Sequence, residues 1–146
     1  MNRHGWTDEH LAQVPLFQGL SRRQLRTVSS LAARIDLGPG KVLAKEGQRG
    51  HEFFIVLDGE VDVRHGDQVL ETRGPGEYVG EMALMDSRPR TADLVTKTPV
   101  IIEVMSSREF QSLLSEVPAL SDQIRATMEA RRAAEPEGAT PVGAAP

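Results

Sequence analysis

The sequence of 146 residues contains no cysteine, and aromatic residues make up only 4% of it. Without cysteine the chain forms no disulfide, no thiolate zinc site and no cysteine nucleophile. It also lacks any run close to the roughly 20 apolar residues that a membrane span needs. No apolar stretch follows the N-terminus, so we expect no signal peptide. These absences predict a cytoplasmic protein without redox chemistry or a membrane partner.

Excess charge of one sign is also small, since 17 basic residues stand against 21 acidic ones and the net charge is −4. A nucleic-acid-binding surface usually has a clear basic face. The nearest basic cluster is Arg125, Arg131 and Arg132, and Glu129 and Glu135 dilute it. This pattern predicts a solvated helix face and no nucleic-acid partner.

The four histidines lack the paired spacing of metal ligands: His4, His10, His51 and His65. We therefore expect no metal site and no cofactor.

The spacing of apolar residues along the chain changes from a helical pattern to a strand pattern and then back to a helical one. The residues SRRQ at 21–24 predict a capping box, followed by apolar residues at helical spacing to about residue 33. Short alternating or β-branched runs then predict strands at 41–44, 53–57, 61–64, 68–72, 91–96 and 100–105. Glycine-bearing turns separate them, which indicates a mainly β fold, an antiparallel jelly-roll-like β-roll with flanking helices.

Two helices are predicted after the last strand. SSRE at 106–109 is a second capping box, and Pro118 suits the first position of another helix. Leu120, Ile124 and Met128 form a stripe on that helix, which indicates either core packing or a dimer seam. Residues 135–146 are rich in proline, glycine and alanine and predict a disordered tail after a single domain at 1–134.

Residues 76–93 do not follow the regular pattern of short strands separated by turns. Gly80 precedes about two turns of good helix formers, whose first N–H groups form an anion site. Arg90 adds a planar fork of donors that matches two phosphate oxygens. The segment carries a net charge of −2, so an anion here must be bound locally, and Glu81 needs a hydroxyl donor. A ligand with one phosphate and an adjacent sugar hydroxyl meets both demands.

At these residues the sequence resembles the cyclic-nucleotide-binding domain family. The family's phosphate-binding cassette is matched by VGEMAL at 79–84 and PRTA at 89–92, with nine positions from Glu81 to Arg90. Upstream, GKVL at 40–43, EGQRG at 46–50 and FFIVLDGEV at 53–61 are similar to the family's turns and hairpin. The likeness extends from about Leu16 to Met128, and Val79 replaces the usual aromatic residue.

The resemblance implies roles for individual residues. Glu81 would accept from the ribose 2′-hydroxyl, Gly80 and Ala83 would present backbone N–H groups, and Arg90 would pair with the cyclic phosphate. Thr91 matches a position where a hydroxyl contacts guanine in some relatives, although relatives that bind cyclic AMP also carry Ser or Thr there.

The remaining implied ligand-binding residues are Met82 and Ala92. The helix after Pro118 corresponds to the family's lid or dimer helix, where Arg125, Met128 or Arg131 would cover the base.

The leading hypothesis is a sensor that binds cyclic AMP or cyclic GMP and signals to an unknown protein partner by moving its C-terminal helices. The alternative is an interaction module that keeps the fold with an empty or altered pocket. An enzyme is disfavoured because no set of base and nucleophile is present. The tail leaves no room for a helix-turn-helix, and the last helix is a candidate homodimer contact.

Overall fold

The computed structural model describes residues 11–80 and 89–134. These residues form a 3-10 helix, three α-helices and eight strands. The helical elements are the 3-10 helix Pro15–Phe17, α1 Arg22–Leu31, α2 Ser107–Glu116 and α3 Pro118–Ala134. The strands are β1 Ala33–Leu37, β2 Val42–Ala44, β3 Glu52–Asp58, β4 Val61–His65, β5 Gln68–Arg73, β6 Tyr78–Val79, β7 Asp93–Thr96 and β8 Val100–Ser106.

The strands form two four-stranded sheets in which each strand pairs antiparallel to its neighbours. The first sheet has the order β1-β8-β3-β6, and the second has the order β2-β7-β4-β5. Each sheet therefore combines strands from distant parts of the sequence. The predicted fold class, a mainly β roll with flanking helices, is confirmed.

A glycine fixes the turn between β3 and β4. Gly59 has a φ of +86°, and a Cβ atom placed on it would lie 2.1 Å from the carbonyl oxygen of Pro99. Only glycine permits both the positive φ and this close approach between the β3–β4 and β7–β8 turns. The two turns are thereby packed backbone against backbone.

Both predicted capping boxes are present. The Ser21 hydroxyl accepts from the Gln24 N–H at 3.1 Å, and the Gln24 side chain accepts from the Ser21 N–H at 2.8 Å. Ser106 and Glu109 make the same reciprocal pair at the start of α2. Each box satisfies two N–H groups that would otherwise have no partner in the helix.

The helices cover one face of the first sheet and enclose the larger hydrophobic core. Phe53 of β3 lies at its centre, with ring centroids 4.6 Å from Phe110 and 5.5 Å from Tyr78. Leu120, Ile124 and Met128 are buried in the same core. The stripe on α3 is therefore core packing, and it offers no apolar seam for a dimer.

A second core cluster lies between the two sheets. Its buried members are Phe54, Val56, Val61, Val79, Leu94, Val100 and Ile102. Alternation along β3 explains the division, because Phe53 and Ile55 face the helices while Phe54 and Val56 face the second sheet.

The structure differs from the predictions at two strands. Helix α1 ends at Leu31, two residues before the predicted end, because the following residues pair with β8 as strand β1. Strand β6, only two residues long, was also not predicted. The predicted tail at 135–146 lies outside the described residues.

Candidate functional site

The backbone of Arg90 is fixed by the turn between β2 and β3. Pro89 forms an isolated antiparallel bridge with Arg49. The Arg90 N–H donates to the Gln48 carbonyl oxygen at 2.8 Å, and the Gly47 N–H donates to the Arg90 carbonyl oxygen at 2.8 Å. The main chain on both sides of the Arg90 side chain is therefore held before any ligand is considered.

The guanidinium group of Arg90 is buried and oriented by backbone carbonyls. The residue is only 7% exposed. Its Nη1 donates to the carbonyl oxygen of Gly80 at 3.1 Å, and its Nη2 donates to that of Glu52 at 2.6 Å. These two bonds start from different terminal nitrogens of the guanidinium, so together they fix the plane of the fork.

Gly80 is required at its position for two reasons. Its φ is +93°, which L-residues with a side chain rarely adopt. A Cβ atom would also lie 2.7 Å from Nη1 of Arg90 and 3.0 Å from the carbonyl oxygen of Glu52. The sequence predicted that this glycine leaves room for a ligand, and the structure adds that it leaves room for the arginine.

The Arg90 guanidinium borders the apolar cluster between the two sheets. Its Cζ lies 5.9 Å from the ring centroid of Phe54, which belongs with Val79 and Leu94 to the cluster between the sheets. A charge in such a medium interacts more strongly with an opposite charge than it does in water. The site therefore suits one compact anion.

Four of the seven predicted ligand residues are described by the structure. Gly80 and Arg90 are in contact, while Thr91, half-buried, and Ala92, buried, form the bend that leads into β7. Glu81, Met82 and Ala83 lie outside the described residues. The ribose contact of Glu81 therefore stays a prediction.

Asp93 points away from the guanidinium, as strand alternation predicts. Leu94 faces the cluster between the sheets, and Asp93 lies on the other face of β7, where its Oδ1 accepts from the Glu46 N–H at 2.7 Å. The Glu46 carboxylate in turn lies 3.0 Å from Nδ1 of His65. The Asp93 carboxylate is thus bound by the β2–β3 turn, on the face of β7 away from Arg90, and it does not repel an anion there.

Helix α3 reaches the site through Arg131. Its Nη2 donates to the carbonyl oxygen of Tyr78 at 2.9 Å, and its Cζ lies 5.0 Å from the Tyr78 ring centroid. Of the three residues predicted to cover a base, Met128 is buried in the core and Arg125 is exposed. Arg131 is the one that contacts the strand leading to Gly80.

Two functional groups could not be found from the sequence. The carbonyl oxygen of Glu52 accepts a hydrogen bond from Arg90, and that of Tyr78 accepts one from Arg131. A backbone acceptor cannot be recognised from the type of its side chain. The only sequence signal was the position of Arg131, three residues after the buried Met128 on the same helix.

Neither a metal site nor a membrane-crossing helix is found in the part of the chain that is described. Within residues 11–80 and 89–134, no group of three His, Asp or Glu side chains could hold a metal ion. None of the helices in those ranges combines the length and the hydropathy needed to cross a bilayer.

The chain belongs to the cyclic nucleotide-binding domain family, whose model matches residues 34–117. It is 35% identical over 128 residues to a cyclic nucleotide-gated potassium channel of Rhizobium etli, a match that covers 87% of this chain and 36% of the channel. The suspected family is thereby confirmed.

Solved structures with the same fold include regulatory subunits of protein kinase A. A cAMP-bound PfPKA-R structure superposes with a TM-score of 0.78 at 23% identity, covering 86% of this chain and 43% of that one. The regulatory subunit of a cAMP-independent protein kinase A from Trypanosoma brucei has a TM-score of 0.75 at 25% identity, covering 83% and 44%. These relatives are regulators and channels rather than enzymes. The chain spans about a third of the length of the first curated relatives that it matches.

Proposed function

We propose that this chain is a sensor that binds cyclic AMP or cyclic GMP, with Arg90 receiving the cyclic phosphate. The observation that carries the proposal is the buried guanidinium, held by the carbonyl oxygens of Gly80 and Glu52. Because the buried fork is already oriented, a phosphate would gain charge-assisted hydrogen bonds without first ordering a flexible arginine.

The remaining ligand contacts follow the family's motif. Glu81 would accept from the ribose hydroxyl, and the N–H groups of Gly80 and Ala83 would meet the phosphate. Thr91 follows Arg90 directly and is half-buried, so its hydroxyl is the candidate that distinguishes the bases. Both cyclic AMP and cyclic GMP are proposed ligands.

Signalling would pass through α3. Arg131 joins that helix to Tyr78, two residues before Gly80 in the chain. A nucleotide bound beside Gly80 would place its base close to Arg131. The base would then compete with Tyr78 for contact with Arg131. The helix would then shift relative to the roll and present a different surface to a protein partner.

Isothermal titration calorimetry with cyclic AMP and with cyclic GMP tests the proposal. Replacing Arg90 by Gln removes two charge-assisted hydrogen bonds to phosphate. At about 1.5–3 kcal/mol each, this weakens binding by about a hundredfold or more. Arg108→Gln is the matched control, because Arg108 is exposed at the start of α2, and it leaves the affinity unchanged.

A second variant separates ligand binding from folding. Arg90→Gln also removes the bonds to Gly80 and Glu52, so thermal unfolding must accompany each titration. Arg90→Lys keeps the charge and loses the planar fork, and we expect it to weaken binding by at least tenfold. Wild-type affinity in Arg90→Lys would contradict the proposed role of the fork.

The second candidate function is an interaction module that does not respond to cyclic nucleotides. The similarity to a regulatory subunit described as cAMP-independent favours it. If the wild-type chain gives no heat with either nucleotide at protein concentrations that detect micromolar binding, the sensor proposal fails and this alternative takes its place.

A further inference from the structure

Helix α1 presents a basic face that the nucleotide site does not use. Arg22, Arg23 and Arg26 are all exposed on this helix. The apolar side of α1, formed by Leu25 and Val28, is buried in the core. We call the three arginines the α1 basic face, and they lie within about 6 Å along the helix axis because each residue rises 1.5 Å.

The local charge of this region is opposite to that of the whole chain. Residues 11–35 contain four arginines and no acidic residue, whereas the chain has a net charge of −4. The fourth arginine, Arg34, pairs with the buried Glu103. Within residues 11–80 and 89–134, no hydrogen bond or ion pair engages the guanidinium groups of Arg22, Arg23 and Arg26.

The α1 basic face is electrostatically unfavourable to its own helix. Arg22 and Arg23 occupy the first turn, where the helix dipole favours negative charge, and no acidic residue is present there. Arg22 and Arg26 also form a like-charge pair at the i, i+4 spacing. Because this placement costs helix stability and no hydrogen bond or ion pair of the described residues offsets the cost, we look for its use outside the fold.

We propose that the α1 basic face is a docking site for an acidic protein segment rich in Asp and Glu. All three cations are arginines, whose planar forks match carboxylates in a bidentate geometry. A short acidic segment would meet only the basic face and would avoid the acidic remainder of the surface. The proposal is independent of nucleotide binding at Arg90.

Charge and burial also argue against the other anionic partners. Leu25 and Val28 face the core, so α1 has no apolar side to insert into a bilayer, as an interfacial helix requires. A membrane or a long nucleic acid would extend beyond the three arginines and meet a chain whose net charge is −4.

Fluorescence anisotropy with a labelled hexapeptide of alternating glutamate and aspartate tests the proposal. We expect the wild-type chain to bind it at about 20 mM salt and more weakly at about 200 mM, because screening reduces such contacts. A peptide of alternating glutamine and asparagine serves as the neutral probe. No binding of the acidic peptide at about 20 mM salt would overturn the proposal.

Two triple variants with the same change in net charge locate the site. Arg22→Gln/Arg23→Gln/Arg26→Gln is expected to weaken binding of the acidic peptide by about tenfold or more. The control variant places Gln at the exposed positions Lys41, Lys45 and Arg108, and its affinity should change less than twofold. Equal losses in the two variants would show a general charge effect and overturn the proposal.

Thermal unfolding distinguishes a docking role of the three arginines from a role in stabilising the fold. Because the three arginines oppose the helix dipole and one another, the α1 variant should keep the wild-type melting temperature or raise it by about 1–3 °C. A fall of several degrees would show that the arginines serve the fold. Tighter binding to phosphatidylserine vesicles or to single-stranded RNA than to the acidic peptide would overturn the proposed occupant.

Discussion

Gly80 allows a sharp test of how the site is built, because a single methyl group there meets the guanidinium of Arg90. In Gly80→Ala the new Cβ would lie 2.7 Å from Nη1 of Arg90. The backbone must also keep a φ of +93°, which costs an L-residue roughly 1–2 kcal/mol. The substitution therefore combines backbone strain with a collision at the functional group.

The shorter of the two close contacts is relieved at the arginine, while the Glu52 carbonyl oxygen, 3.0 Å from the new Cβ, must shift only slightly. Nη1 is the end of a flexible side chain, so it moves away and loses its 3.1 Å hydrogen bond to the Gly80 carbonyl oxygen. A hydrogen bond from a charged donor contributes about 1.5–3 kcal/mol. Together with the strain, the free energy of unfolding should fall by about 2.5–5 kcal/mol.

Gly19→Ala is the matched control. Gly19 has a φ of +89°, and no atom lies within 4 Å of a Cβ built on it. This variant carries the same backbone strain without the collision, so it should lose only about 1–2 kcal/mol. Urea unfolding of both variants measures the difference, which is the cost of moving the guanidinium.

Calorimetry then tests the consequence for function. Because Gly80→Ala displaces the fork, it should weaken cyclic nucleotide binding by about tenfold or more, while Gly19→Ala binds like the wild type. If the two variants lose equal stability and Gly80→Ala keeps full affinity, the reasoning that Gly80 positions Arg90 is refuted.

Three further substitutions test the frame around the site. Thr96→Val removes the hydroxyl that accepts from the Lys41 N–H and donates to the Gly38 carbonyl oxygen, and urea unfolding should show a loss of about 1–3 kcal/mol. Arg131→Gln removes the contacts to Tyr78 and should lower hydrogen-exchange protection at the end of α3 by about 1–2 kcal/mol. Arg125→Gln, at an exposed position of the same helix, should leave this protection unchanged. Gly59→Ala puts a Cβ atom against a backbone carbonyl and should cost at least about 3 kcal/mol in urea unfolding; a smaller loss would show that the turn can open.

Local chemistry made most of the fold predictable. The capping boxes at Ser21 and Ser106 depend on contacts three residues apart, and six strands were marked by alternation and glycine turns. Strand β1 was not predicted, because Ala33–Leu37 follows α1 without a turn signal and becomes a strand only by pairing with β8. That pairing joins residues far apart in sequence, which local patterns cannot report.

The sequence singled out Gly80 and Arg90 as candidate ligand residues, and the structure brings the two into contact. Their backbone partners could not be predicted. The acceptors that orient Arg90 are carbonyl oxygens, one of them on Glu52 at the start of β3. Which carbonyl lies near the guanidinium depends on how β3 and β6 are paired, and this is a property of the assembled sheet.

Strand β6 connects the two ends of the proposed mechanism. It comprises only Tyr78 and Val79 and pairs with β3 at the edge of the first sheet. Arg131 of α3 holds the carbonyl oxygen of Tyr78, and Arg90 holds that of Gly80. Such a short edge strand has few backbone bonds of its own, so the two arginines add to what fixes it. An anion that drew Arg90 toward itself would change the contact at Gly80 directly, and the contact at Tyr78 lies only two residues away along the chain.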